Sequence, residues 1–134
     1  MAIGLDELRK YYNSCEFIRN EGLVCEEIGE GRSRWSCEVT DSFCNPYGIA
    51  HGGFLFSIMD TAACATAAFS GDSVRMCVTL SGNVHYTRPA YKGKLTITGE
   101  LKKAGKSTGL SIAEIHDPEG NLCAYASFEV FFKD

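Results

Sequence analysis

Between Asn45 and Gly71 the chain runs Asn-Pro-Tyr-Gly-Ile-Ala-His-Gly-Gly and then FLFSIMDTAACATAAFSG. Gly48, Gly52 and Gly53 allow a sharp turn and a close backbone approach. The stretch after Gly53 reads as a long helix whose only carboxylate is Asp60. At about 100° per residue, Leu55, Ile58, Ala62, Ala65 and Phe69 share one broad apolar face. The opposite stripe, Gly53, Ser57, Asp60, Cys64 and Ala67, is narrow and built of small residues. A helix apolar nearly all round is a buried helix, so Asp60 is expected in a dry place. A carboxylate there is costly unless it is paired, hydrogen-bonded or shifted toward its neutral form. That cost marks Asp60 as a candidate active-site group.

The 134 residues suffice for one domain with a real core, spanning 1–134, and are too few for two comfortable ones. With 45% apolar and 22% charged residues, the composition is that of an ordinary soluble globular protein. A formal net charge of −4 argues against a nucleic-acid surface, which needs a basic field. It leaves room for a local basic pocket. No run reaches the roughly 18 uninterrupted apolar residues of a membrane span, because Ser57, Asp60 and Thr61 break the central helix. The opening MAIGLDELRKYYNS has early acids and no apolar centre, so no signal peptide is expected. The seven cysteines are odd in number and lack C-x-x-C spacing, which suggests neither a disulfide framework nor a zinc site. Metal and cofactor are both expected to be absent, and a reducing cytoplasm is the simplest home.

Around the central helix the pattern is mostly strand. Leu5 to Ser14 reads as a short amphipathic helix, and 23–28 and 34–39 as strands joined at Gly29 and Gly31. Pro46 holds Asn45 in an extended conformation. After the helix, apolar residues fall on even positions from Val74 to Tyr86, and further strands are expected at 95–102, 110–116 and 122–132. Short glycine-containing turns make the sheet antiparallel. One buried helix with one antiparallel sheet gives an α+β architecture in which the sheet wraps the helix.

Asn45, Gly48, His51, Gly52 and Gly53, with Asp60 after them, form a pattern that resembles the hotdog-fold thioesterases of the phenylacetic-acid-pathway type. Thr79-Leu80-Ser81-Gly82-Asn83-Val84-His85-Tyr86-Thr87-Arg88-Pro89-Ala90 is similar to that family's next strand, and the likeness extends over roughly residues 20 to 132. The resemblance implies a hotdog fold and an acyl-CoA thioesterase. It implies that the Gly52 amide is an oxyanion donor and that Asn45 helps bind the thioester or the water. Asp60 then activates water or attacks directly, Thr79 assists it, and His51 supports the loop. Ser81, two residues along, is the alternative to Thr79.

Chemistry read from the residues agrees. Thioester cleavage needs a group that generates the nucleophile and donors for the developing oxyanion. A helix N-terminus offers unpaired N–H groups and a positive dipole end, and Gly52 and Gly53 open access to it. Seven helical residues cover about 10 Å, too far for Gly53 and Asp60 to touch one carbonyl. The site closes when two chains pair, which implies a twofold homodimer, with a homotetramer as a further assembly. Coenzyme A carries several phosphate charges, so Arg88, Lys103 and Lys106 are candidate phosphate contacts, while the acyl end is expected near Phe54, Phe56 and Met59. A solvated turn remains the plainer account of the lysines, and a structural carboxylate that of Asp60. An acyl-thioester hydratase or dehydratase of the same fold and a non-catalytic acyl-CoA-binding module stay open beside the thioesterase.

Overall fold

The computed structural model describes residues 5–12 and 14–133. Helix α1 (Leu5–Tyr12) and helix α2 (Glu16–Glu21) lead into strands β1 (Leu23–Gly29) and β2 (Arg32–Val39). A 3-10 turn at Asp41–Phe43 precedes helix α3 (Gly52–Ala68). Strands β3 (Met76–Tyr86), β4 (Gly93–Ala104), β5 (Thr108–His116) and β6 (Leu122–Lys133) complete the chain. Periodicity predicts a first helix running to Ser14. The helix is described from Leu5 to Tyr12, position 13 lies outside the described residues, Ser14 is not helical, and a second helix, not anticipated, begins at Glu16. Gly22 ends α2 in the left-handed region (φ 71°), where its N–H caps the Arg19 carbonyl, a conformation that suits glycine.

The six strands form one antiparallel sheet in the order β1-β2-β4-β5-β6-β3. Helix α3 contacts every strand, most extensively β4 and β5 at the sheet's centre. Leu55, Ile58, Ala62, Ala65 and Phe69 are all buried, as the helical periodicity requires. Each large side chain there contributes about 1.5–3 kcal/mol on burial, and the alanines let the helix axis approach the sheet. Gly99 on β4 completes that approach. A Cβ there would collide with Thr66 and with Ser33, whose hydroxyls bond to each other at 2.6 Å beneath the Trp35 indole.

Strand β3 departs from its sequence pattern in two ways. Alternation predicts one inward face for its even-numbered apolar residues, but Met76, Val78 and Leu80 are 63%, 51% and 52% exposed. A bulge between Thr79 and Ser81 shifts the register against β6. Before it, Cys77 and Thr79 point to the helix; after it, Gly82 does, a Cβ there meeting Phe56 and Phe128. Alternation read through a bulge changes face halfway along the strand. The same bulge turns Ser81, the alternative to Thr79, away from the face that Thr79 occupies. Ser81 pairs with Glu129 on the outer side, whereas Thr79 pairs with buried Val130.

Candidate active site

The loop before α3 is held by its own side chains. Asn45 Oδ1 accepts from the Tyr47 and Ile49 amides at 2.9 and 3.1 Å, and Gly48 turns at φ 77°. The Ala50 N–H reaches the Ala90 carbonyl at 2.7 Å, tying the loop to the segment after β3. His51 is the N-cap of α3, and its Nδ1 accepts the Gly53 amide at 3.0 Å. This satisfies one of the donors that a helix start leaves unpaired. The Gly53 N–H is thereby engaged, while the Gly52 N–H has no acceptor among the described residues. The Gly52 carbonyl accepts from the Tyr86 hydroxyl at 2.7 Å, and a Cβ on Gly52 would lie 3.2 Å from that ring. Tyr86 was not anticipated as a site residue; its place two residues before Arg88 carries no signal until β3 is seen to end against the helix start.

Two turns further along α3, Asp60 accepts a 2.5 Å hydrogen bond from Thr79 Oγ1. Threonine's single proton goes to Oδ1, which leaves Oδ2 open to water or to a carbonyl carbon. Asp60 is half-buried, not dry as expected. The small stripe of α3 faces the margin of the sheet under β3, so its apolar character reflects close packing rather than full enclosure.

Beside Asp60 lies a group the sequence did not disclose. Glu21, the last residue of α2, is only 5% exposed, and its carboxylate accepts from the Ser57 and Thr61 hydroxyls of α3. Burial pushes its pKa up; the two hydroxyl bonds oppose this and the charge of Asp60 adds to it. Glu21 belongs to a segment without strong periodicity, and only the docking of α2 on α3 brings it there.

The basic candidates do not gather within the chain. Arg88 lies at the helix-start end, half-exposed and 3.9 Å from Asp117. It lines a cavity of about 350 Å³ with Gly52, Tyr86 and Pro89. Lys103 and Lys106 lie at the β4–β5 turn, where the Arg75 guanidinium donates to the Lys106 carbonyl at 2.7 Å, and Arg75 N–H reaches Ala68 at the other end of α3. The length of α3, about 25 Å at 1.5 Å per residue, separates the two groups. Of the expected acyl contacts, Phe54 stacks on Phe43 at 4.0 Å and Phe56 packs on Phe128 at 5.2 Å. Met59 is fully buried in the core and is out of reach of a ligand.

The arrangement is that of a thioester-cleaving fold: a capped glycine helix start and, separately, a threonine-bonded aspartate. The model of the thioesterase superfamily matches residues 47–124, and the chain belongs to that superfamily; it is a thioester hydrolase with the hotdog fold. The acyl-coenzyme A thioesterase PaaI of Escherichia coli is 31% identical over 96 residues, 70% of this chain and 66% of that protein. The structure of PaaI superposes with a TM-score of 0.89 over 96% of this chain and 92% of its own, at 24% identity. A 1,4-dihydroxy-2-naphthoyl-CoA hydrolase of Listeria monocytogenes is 28% identical over 75% of this chain and 82% of its own. A hypothetical thioesterase protein of Streptococcus pneumoniae, solved with coenzyme A, has a TM-score of 0.84 and 27% identity over 93% of this chain and 96% of its own.

Proposed function

We propose that this protein hydrolyses acyl-CoA thioesters with aryl or medium-length acyl groups, at sites shared between two chains. The observation that carries the reading is the Thr79–Asp60 hydrogen bond at 2.5 Å, which holds one carboxylate oxygen and leaves the other free. Asp60 takes a proton from water as it attacks the thioester carbonyl, or attacks the carbonyl itself. The tetrahedral oxyanion is received by the Gly52 N–H at the positive end of α3. Collapse of that intermediate breaks the C–S bond and releases coenzyme A as its thiolate.

Asp60 and Gly52 are eight residues apart on one helix, about 12 Å, so the oxyanion donor comes from a second chain. β3 is the surface that supplies it. Among the described residues its outer edge pairs with no strand, and an antiparallel β3–β3 pairing about a twofold axis sets the helix start of one chain beside the helix end of the other. The same operation carries Lys103 and Lys106 toward the partner's Gly52 end, where Arg88 lies, and there all three serve the coenzyme A phosphates. Asn45, with Oδ1 committed to its loop, presents its amide group toward the bound thioester or water. The likeness to the 1,4-dihydroxy-2-naphthoyl-CoA hydrolase supports an aryl group. His51, its Nδ1 occupied as a helix cap, is poorly placed as the base a hydratase needs.

The deciding experiment is free-thiol release from a panel of acyl-CoAs by the native chain and by Asp60→Asn. The native chain should turn over at least one aryl- or medium-chain thioester. Asp60→Asn should lose at least about 100-fold in kcat, the lower range for removal of a general base, while remaining folded and dimeric. Near-native release by the asparagine variant would sink the assignment.

A further inference from the structure

Two thiols that hydrolysis does not require meet at the boundary of α3 and β3. Cys77 Sγ donates to the Cys64 carbonyl at 3.3 Å, which brings the two residues into contact across the helix–strand boundary. Cys64 Sγ lies 3.2 Å from Thr79 Oγ1. Thr79 has one hydroxyl proton and gives it to Asp60, so Cys64 in its thiol form is the donor to Thr79. Cys77 also lines a cavity of about 440 Å³ between the N-terminal helices and β3, together with Tyr11, Tyr12, Phe69 and Met76. A small solute therefore has room to reach Cys77.

Three of the other five cysteines differ. Cys25, Cys37 and Cys123 are buried and donate to backbone carbonyls, and burial pushes the thiols of Cys25 and Cys37 up to about 12. At Cys64 the hydrogen bond from Cys77 lowers the thiol below its ordinary range, while burial and the charge of Asp60 oppose this. Cys77 is raised by the same hydrogen bond and by burial. Cys64 and Cys77 are thus neighbours on two elements, with Cys64 partly exposed beside Thr79 and Cys77 open to the cavity.

We propose that Cys64 and Cys77 are a redox modification site that closes to an intrachain disulfide on meeting a small hydroperoxide. The Cys64 thiolate attacks one peroxide oxygen, the O–O bond breaks, and the departing alkoxide or hydroxide takes up a proton. Cys64 is then a sulfenic acid. Cys77 attacks that sulfur, the S–S bond forms, the S–O bond breaks, and the hydroxide leaves with the Cys77 proton as water. Two thiols and one hydroperoxide, ROOH, give one disulfide, ROH and water, with two electrons passing from sulfur to oxygen. Closure removes the Cys64 donor from Thr79 and pins α3 to β3 one turn beyond Asp60. The effect on catalysis rests on the function proposed above; formation of the bridge does not.

The test is peptide mapping of the full chain after graded hydrogen peroxide, with alkylation under non-reducing conditions, alongside thiol release from the preferred acyl-CoA. A Cys64–Cys77 cross-linked peptide pair should appear before the other cysteines are modified and should vanish with dithiothreitol. Hydrolysis should fall severalfold as the bridge forms and return on reduction. Cys77→Ala should keep its unoxidised activity and form no bridge, its Cys64 stopping at sulfenic or sulfinic acid; Cys77→Ser serves if the alanine variant folds poorly. The proposal fails if Cys64 and Cys77 stay alkylatable after the other thiols have reacted, or if Cys77 bridges instead to Cys15, which shares the cavity. A bridge that forms without any loss of rate overturns the coupling through Thr79. Should the native chain hydrolyse nothing, the peptide map still decides whether the bridge exists.

Discussion

The sheet has two edges, and they are built in opposite ways. β1 is seven residues long, carries Glu26 and Glu27 beside a bulge, and is covered by α1, whose Arg9 guanidinium donates to the Cys25 carbonyl at 3.4 Å. β3 is eleven residues long, has no charged residue between Met76 and Asn83, and shows Met76, Val78 and Leu80 on its outer face. Charge, shortness and cover are the devices that stop a strand edge from recruiting another chain. β1 has all three and β3 has none. Thr79, the partner of the proposed base, lies on the unprotected strand, so the edge that invites a second chain also carries half of the proposed chemistry.

The largest effect is expected when β3 is given the protection that β1 has. Val78→Lys/Leu80→Lys places four ammonium groups near one twofold axis in a dimer. The double variant should sediment as a monomer and lose at least about 100-fold in kcat/KM, because the oxyanion donor leaves with the partner. The matching change on the other edge, Val24→Lys, should alter neither assembly nor rate. If the β1 variant dissociates and the β3 variant does not, the interface lies on the opposite side of the sheet.

Subunit exchange probes the same edge without disturbing it. Asp60→Ala and Asn45→Ala should each be inactive alone. Random mixing makes half of the dimers mixed, each with one intact site of two, so recovery should approach about a quarter of native activity. Mixtures that stay inactive although exchange is demonstrated by mass would place both groups within one chain.

Lys103→Ala/Lys106→Ala tests whether the far end of α3 serves the partner's site. KM for acyl-CoA should rise roughly 3- to 10-fold, with kcat and the KM for the matching acyl-pantetheine unchanged, since exposed charge pairs are each worth about 0.2–1 kcal/mol. The difference should shrink as salt is raised. An equal rise for both substrates would remove the lysines from phosphate binding.

The smallest effect is expected at Glu21, on the covered side. Its carboxyl is raised in the fold chiefly by burial, so folding favours its neutral form more than the unfolded chain does. Its contribution to stability is complete below the unfolded glutamate value and is lost as pH rises through the folded value. Glu21→Gln should therefore flatten the pH dependence of the denaturation midpoint between mildly acidic and neutral pH. A variant whose profile parallels the native one would mean that Glu21 titrates normally despite its burial.

Features that depend on short spacing were legible in the residues themselves. Periodicity placed α3, its buried face and the strands to within a few residues, because side-chain direction follows from backbone period alone. Asp60 stood out because a carboxylate in an apolar helix has a cost that needs a reason, and the glycines before it because a helix start is itself an anion site. The rest depended on contacts between segments distant in sequence. The β3 bulge turned Ser81 away from Thr79 and exposed Val78 and Leu80, since one extra residue reverses the face and nothing in the sequence marks it. Glu21 reached Ser57 and Thr61, thirty-six and forty positions on, only through the docking of α2. The lysines and Arg88 proved to be a helix length apart, because a strand that returns antiparallel carries its two ends to opposite poles of the sheet.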